Sequence, residues 1–359
     1  MKAQFPVTIA FALLQVPPAL ADPVSAFYKG KTIVMVVSSA AGGGYDYFAR
    51  TLARHMFVHI PGKPSMVVRN MPGAGGVIAA NFIAGSAGKD GLAIASVQNN
   101  VAFEPLFGNK RAKYIPAKLN WIGSPSVETG LLVVLAGHRV NTIQDAMKTR
   151  LRAGSSGYSS APSLYARLLN RILGTKLDIV IGFRGQTGAF QAMEKGDIDT
   201  YGVTYWSSLV TTKKKWVRNK KVRILLQFGP VREKELAGVP HAADLLRKPQ
   251  DRALLEASYG PLKMGRPFVM GPNVPAERVA AIRRAFMATL SDAKFLKEAK
   301  RRKLVINRPR DGQTLQREVF DAYKAPPAVI AQLRRIANPP KKYHELQQAM
   351  AGTPRRKIK

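Results

Sequence analysis

Apolar positions along the chain switch repeatedly between two spacings. Thr32–Val37 is an unbroken apolar, β-branched run between Gly30 and Ser38, the mark of a strand covered on both faces. In residues 46–60, Phe48, Leu52 and Met56 recur at helical spacing, and Gly62 and Pro64 stop the helix. The alternation continues with a strand at 65–69, a helix at 76–84 and a strand at 92–97. It resumes with a strand at 131–135, helices at 142–150 and 163–173, a strand at 177–181, a helix at 187–195, and strands at 200–204 and 223–227. A last strand at 268–270 precedes helices at 276–290, 292–302 and 313–323. Strands alternating with helices predict βαβ units, a mainly parallel sheet and the α/β class.

The first residues do not belong to this pattern. Lys2 is followed by an apolar stretch at 5–16, a Pro17-Pro18 break and Ala19-Leu20-Ala21 before Asp22. That is the layout of a cleavable secretory signal over residues 1–21, cut after Ala21, and it predicts export. The stretch is shorter than the roughly 20 residues that span a bilayer. The remaining length suits two lobes better than one core. The chain has no Cys, which excludes disulfides and thiolate chemistry.

Ligands of open α/β sheets sit where strands give way to helices. Three such turns stand out. Ser38-Ser39-Ala40-Ala41-Gly42-Gly43-Gly44-Tyr45-Asp46 strips every Cβ from three successive positions, so the backbone can approach a ligand and offer amides at a helix start. Asp46 also fits a simple helix cap, and a glycine run serves equally as a tight structural turn. Asn70-Met71-Pro72-Gly73-Ala74-Gly75-Gly76 and the Ser/Gly turn at 155–160 occupy similar positions, and three such turns argue more than one.

Catalytic signatures are missing. Ser25 stands where a P-loop ending in Gly30-Lys31-Thr32 needs its first glycine, and Ile78 breaks a GxGxxG pattern at Gly73. No GxSxG elbow occurs. His55 and His59 share a helix face without the Glu of a zinc hydrolase. Glu194, Asp197 and Asp199 form an acidic group suited to acid/base work, which keeps an exported hydrolase or isomerase as an alternative.

These motifs resemble, in order over about residues 27–334, the periplasmic solute-binding proteins of tripartite tricarboxylate transporters, also called the Bordetella uptake family. The Asn70–Gly76 block is the most specific part. Gly42-Gly43-Gly44-Tyr45-Asp46, Lys89-Asp90-Gly91, the turn at 155–160, Phe183-Arg184-Gly185, Gly196-Asp197-Ile198-Asp199 and Pro272-Asn273-Val274-Pro275 carry the rest. The resemblance implies a type II periplasmic binding fold, with a first lobe at 22–128 and 258–337, a second at 129–257, and a basic tail at 338–359. It implies a receptor that is not an enzyme and has no catalytic residue, metal or cofactor. A small organic carboxylate would be its ligand, the transporter's membrane subunits its partners, and the monomer its state. Carried over by position, the ligand-binding candidates are Ser39, Ala41, Gly42, Gly43 and Asp46 in the first lobe, and Ser155, Gly157, Ser159, Ser160, Arg184 and Asp199 in the second. Ser39-Ala40-Ala41 replaces the family's prolines, and Ser163 stands where a His often opens the second-lobe helix.

Charge adds one more constraint. Lys and Arg number 56 against 22 Asp and Glu, a net +34. The cations are spread along the chain, with denser runs at 213–215, 218–223, 300–303 and 355–359, and no aromatic platform is interleaved with them. This reads as a solvated basic surface that attracts anions over a distance, without nucleic acid as partner. A basic adhesion or nucleic-acid module is the remaining alternative.

Overall fold

The computed structural model describes residues 22–157 and 160–338. The expected leader at 1–21, Ser159 and the tail from 339 lie outside the described residues.

The chain opens with helix α1 (Pro23–Tyr28), then β1 (Thr32–Val37), α2 (Gly44–Met56), β2 (Ser65–Asn70), α3 (Val77–Asn81), β3 (Ala93–Ser96) and β4 (Asn120–Ser124). It then enters a second lobe with β5 (Gly130–Leu135), α4 (Ile143–Lys148), β6 (Arg150–Ser155), α5 (Ala161–Leu173), β7 (Lys176–Ile181) and α6 (Gly185–Lys195). β8 (Thr204–Tyr205), α7 (Trp206–Thr212), α8 (Lys214–Arg218), β9 (Val222–Phe228), α9 (Ala242–Leu245) and α10 (Pro249–Ala257) complete that lobe. The chain returns through α11 (Gly260–Met264), β10 (Phe268–Met270), α12 (Ala276–Ser291), α13 (Ala293–Arg302), β11 (Arg310–Asp311), α14 (Gly312–Tyr323) and α15 (Pro327–Ala337).

The first lobe holds a six-stranded sheet in the order β11-β4-β10-β3-β1-β2. β1 pairs in parallel with β2 and β3, while β10 runs antiparallel to β3 and β4. Its central strands are apolar because both faces are covered. On one face Ile33, Met35 and Val37 meet Phe48, Leu52, Phe286 and Phe295, all fully or almost fully buried. Each such side chain contributes about 1.5–3 kcal/mol of transfer free energy.

The second lobe departs from a mainly parallel sheet. β5 lies antiparallel between β8 and β9, and β6 and β7 form a separate parallel pair. The helix expected at 142–150 ends at Lys148, because Arg150 starts β6. Leu151 and Ala153 point inward in β6 while Arg150 and Arg152 stay accessible, an alternation too short and too basic to stand out from the preceding helix. The strand expected at 200–204 shrinks to Thr204–Tyr205.

Three hydrophobic clusters result, and the largest runs from the first lobe into the second. α15 adds a strap: it packs on α5 and α10 of the second lobe, while Arg334 Nε donates to Leu106 O at 2.7 Å in the first. The lobes are therefore joined by more than the two chain connections, β4 to β5 and β9 to β10.

Candidate functional site

Between the lobes lies a cleft with about 70 Å³ of free space. Ser39, Gly43, Gly44 and Tyr45 line it from the first lobe, with Ser156, Pro162, Arg184 and Thr187 among the residues facing them. The lobes touch across it: Thr187 Oγ1 donates to Gly42 O at 3.3 Å.

The first-lobe wall is the start of α2. Its N-cap is Gly43, which has no side chain to accept from the first-turn amides. Those amides consequently keep their positive end free for an acceptor in the cleft. The loop before it is braced from behind. Asp46 accepts from Gly42 N at 2.9 Å, from Arg50 Nε at 2.8 Å and from Asn70 Nδ2 at 2.8 Å. Asn70 Nδ2 also donates to Ser39 O at 3.0 Å. Burial works against the Asp46 charge, but Arg50, the Gly42 amide and Asn70 outweigh it and hold the carboxyl below its ordinary range. Asp46 thus closes the loop instead of lining the cleft, and it takes up the Gly42 amide. Ala41 and Gly42 shape the turn without lining the cleft, whereas Ser39 and Gly43 do line it. The glycine-rich Asn70–Gly76 turn is a buttress: Gly73, Gly75 and Gly76 all have positive φ, and a Cβ on Gly76 would meet Gln98 Cβ at 3.2 Å. Gln98 in turn lines the cleft.

The second-lobe turn is organised inward. Ser155 Oγ and Ser160 Oγ are 2.6 Å apart, Ser163 Oγ lies 2.7 Å from Ser155 Oγ and 2.8 Å from Gly157 O, and Ser160 Oγ lies 2.7 Å from Gly157 O. All three serines are fully buried. Their hydroxyls hold the turn in shape, and Ser156 faces the cleft in their place, hydrogen-bonded to Tyr201. The turn delivers the start of α5, whose N-cap Ser160 makes no side-chain cap. A third start, that of α6, follows Arg184, again with no side-chain cap, and Gly185 at φ +66° makes the turn possible. Among the described residues, Arg184 is the one cation on the cleft wall.

Asp199 stands elsewhere. Its carboxylate accepts from Arg152 N at 2.8 Å and Arg152 Nη2 at 3.1 Å, with His138 Nε2 at 3.5 Å. Burial opposes its charge, but Arg152 more than offsets this, and the carboxyl sits below its ordinary range. It pins the β6 edge and does not line the cleft. Glu194 is likewise occupied, by Trp216 Nε1 at 3.1 Å and Lys221 Nζ at 3.3 Å. The acidic group read from the sequence therefore does not converge on a common point. His55 and His59 pair with Glu298 and Asp292, and no group of metal-binding side chains forms among the described residues.

A buried polar network under the cleft floor escaped the sequence reading. Arg266, 3% exposed, pairs with the fully buried Glu128 at 3.0 Å. Its Nη2 donates to Ser207 Oγ and Ser208 Oγ at 2.7 and 2.8 Å, and its guanidinium lies 4.8 Å from the Tyr45 ring centre. Tyr45 Oη accepts from Asn99 N at 3.2 Å, and Tyr205 Oη donates to Asn99 Oδ1 at 3.1 Å. Tyr45, Tyr205 and Ser208 line the cleft directly. Burial pushes both phenols well above their ordinary range, so they stay neutral donors. These residues come from five separate segments, and no local motif announces them.

Two α/β lobes with helix starts converging on the cleft between them define a binding protein of the periplasmic type. Residues 48–295 match the model of the Tripartite tricarboxylate transporter family receptor, and the chain belongs to that family. It is similar to a UPF0065 protein of Cupriavidus necator, 28% identical over 226 residues, which cover 61% of this chain and 65% of that one. The match thus spans just under two thirds of that relative's length. Among solved structures it is similar to the periplasmic binding protein BugD, with a TM-score of 0.68 and 20% identity over 86% of this chain and 98% of that one. It is also similar to MatC from Rhodopseudomonas palustris with bound malate, with a TM-score of 0.65 and 20% identity over 86% and 99%. These likenesses establish the fold.

Proposed function

We propose that the chain is an exported receptor that captures a small carboxylate between its lobes and hands it to the membrane subunits of a tripartite transporter. One observation carries the reading: the uncapped starts of α2, α5 and α6 converge on a cleft whose lining, among the described residues, contains no acidic side chain. Backbone amides at helix starts favour anions. Micromolar capture requires about 8 kcal/mol. Hydrogen bonds to a charged group contribute roughly 1.5–3 kcal/mol each, so a few amides with Ser39, Ser156 and Arg184 suffice.

Two further facts support an anionic ligand. Arg266 Nη1 and Asn99 Nδ2 are buried and have no acceptor among the described residues. Both lie in the network directly beneath the cleft, where they add positive potential. That MatC is solved with malate makes dicarboxylates the first ligands to try. The test is a thermal melt against malate, adipate, citrate and monocarboxylates, repeated with Arg184→Gln. At least one acid should raise the melting temperature of the wild type, and less so that of the variant, because a ligand of the folded state must stabilise it. No shift with any acid refutes the reading.

A further inference from the structure

On the outer side of the molecule, a second concavity of about 620 Å³ straddles the two lobes. The second lobe supplies α8 and the turn after it, and the first lobe supplies the last turn of α13 and Tyr47 of α2. Its charged lining consists of Lys213, Lys214, Lys215, Lys221, Arg301 and Arg302, and among the described residues no carboxylate lines it. Glu194, set back from the groove, pairs with Lys213 and Lys221, and Glu298 pairs with Arg302. Lys214, Lys215 and Arg301 have no carboxylate partner among the described residues.

Basic residues in the last turn of a helix complement its dipole, which accounts for Arg301 and Arg302 taken singly. It does not account for Lys213 and Lys214 at the start of α8, where the dipole disfavours cations, nor for the like charges that face one another across the groove. The protein offsets part of this with a direct contact across the same seam, Thr211 Oγ1 to Lys303 O at 2.8 Å. We infer that the groove is a second binding site, for a compact anion of three or more charges, of the oligophosphate class. Lysine ammoniums act as point charges toward phosphate and Arg301 can grip it in bidentate fashion. Such an anion touches both lobes at once and favours the arrangement in which they meet. The site is separate from the carboxylate cleft, so the inference stands or falls without knowledge of the cleft's ligand.

Trp216 forms part of the groove wall, with Lys213 Nζ 4.2 Å from its ring centre, and supplies a reporter. The experiment titrates inorganic triphosphate into the protein at low ionic strength, followed by calorimetry and tryptophan fluorescence. Binding near one-to-one is expected, weakening on the order of tenfold or more as salt screens the site. Lys215→Gln/Arg301→Gln should lower the affinity at least about tenfold. Arg247→Gln/Lys248→Gln removes the same charge from an exposed site outside the groove and should leave affinity within about twofold. Equal losses in the two double variants, or no triphosphate binding by the wild type, overturn the inference. So does binding to phosphatidylglycerol vesicles without binding of free triphosphate, which would assign the cations to a membrane face.

Discussion

A single methyl group can test whether the lobes must meet for the cleft to hold its ligand. Gly44 opens α2, and a Cβ placed on it would lie 2.6 Å from Ser208 Oγ and 3.0 Å from both terminal nitrogens of Arg266. Ordinary contact begins near 3.4 Å, so Gly44→Ala is about 0.8 Å too close to α7 of the second lobe. The backbone of Gly44 tolerates alanine, since its φ is not positive. Relief requires that α7 retreat or that Ser208 turn away from Arg266. Retreat costs about 1–3 kcal/mol as overpacking, and the turn loses a charge-assisted hydrogen bond of roughly 1.5–3 kcal/mol. The Ser208 clash applies only while the lobes touch, whereas Arg266, bonded to Ser124 of the first lobe, is met in both arrangements and its flexible end must shift in each. Helix propensity acts in both arrangements and favours alanine by about 1 kcal/mol. The variant should therefore fold normally, bind the acid found in the thermal screen roughly 10- to 100-fold more weakly, and show a larger radius of gyration by small-angle scattering with ligand present. Wild-type affinity together with an unchanged scattering curve would refute the wedge argument and the role given to the Gly44–Ser208 contact.

Two further predictions concern the frame around the cleft. Glu128→Ala strands the buried Arg266 charge and should cost about 3–5 kcal/mol, read from urea melts, whereas Glu128→Leu with Arg266→Met should recover most of that loss; equal instability of the two would mean that the pair is not what holds the crossing. Glu298 joins α2 to α13 through Arg54, His55 and Arg302; burial opposes its charge, but His55, Arg302 and Arg54 together lower its carboxyl to about 2. A depressed folded value means that its contribution is complete above about 4.5 and is lost as pH falls toward 2. The gap in urea midpoint between wild type and Glu298→Gln should accordingly be widest at pH 6 and close by pH 2–3, and a gap independent of pH would contradict the linkage.

Local chemistry was legible in the sequence wherever one segment determines it. The run Gly42-Gly43-Gly44 between an apolar strand and an amphipathic helix marked the α2 start, and the structure puts Gly43 and Gly44 on the cleft wall. Hydroxyl direction was not legible. Ser155, Ser160 and Ser163 turn toward one another and toward Gly157 O, a cluster that only the folded turn creates. Asp199 had a motif-like setting, yet Arg152, hidden in a strand that resembled the end of a helix, claims its carboxylate. Gln98, Tyr201, Tyr205 and Ser208 reach the cleft from distant segments. Arg266 and Glu128 sit on the two connections between lobes, where neither helical nor strand spacing constrains a polar residue, so their pairing could not be read from the pattern.

The distribution of charge separates attracting a ligand from holding it. The chain carries +34, yet among the described residues the cleft wall bears one cation, Arg184, while Lys213, Lys214, Lys215, Arg301 and Arg302 line the groove between α8 and α13. A diffuse positive exterior raises the rate at which anions arrive and is screened by salt within about 10 Å. Under the proposed function, attraction inside the cleft comes from helix starts and from Arg266, which is almost wholly out of water, where screening is weak and each interaction is stronger. Arg266 is neutralised by Glu128, so its field at the cleft is that of a fixed dipole whose positive end lies beneath α2. Such a floor favours a carboxylate without gripping it as a lone guanidinium would, which suits a receptor that must let go of its ligand as readily as it takes it.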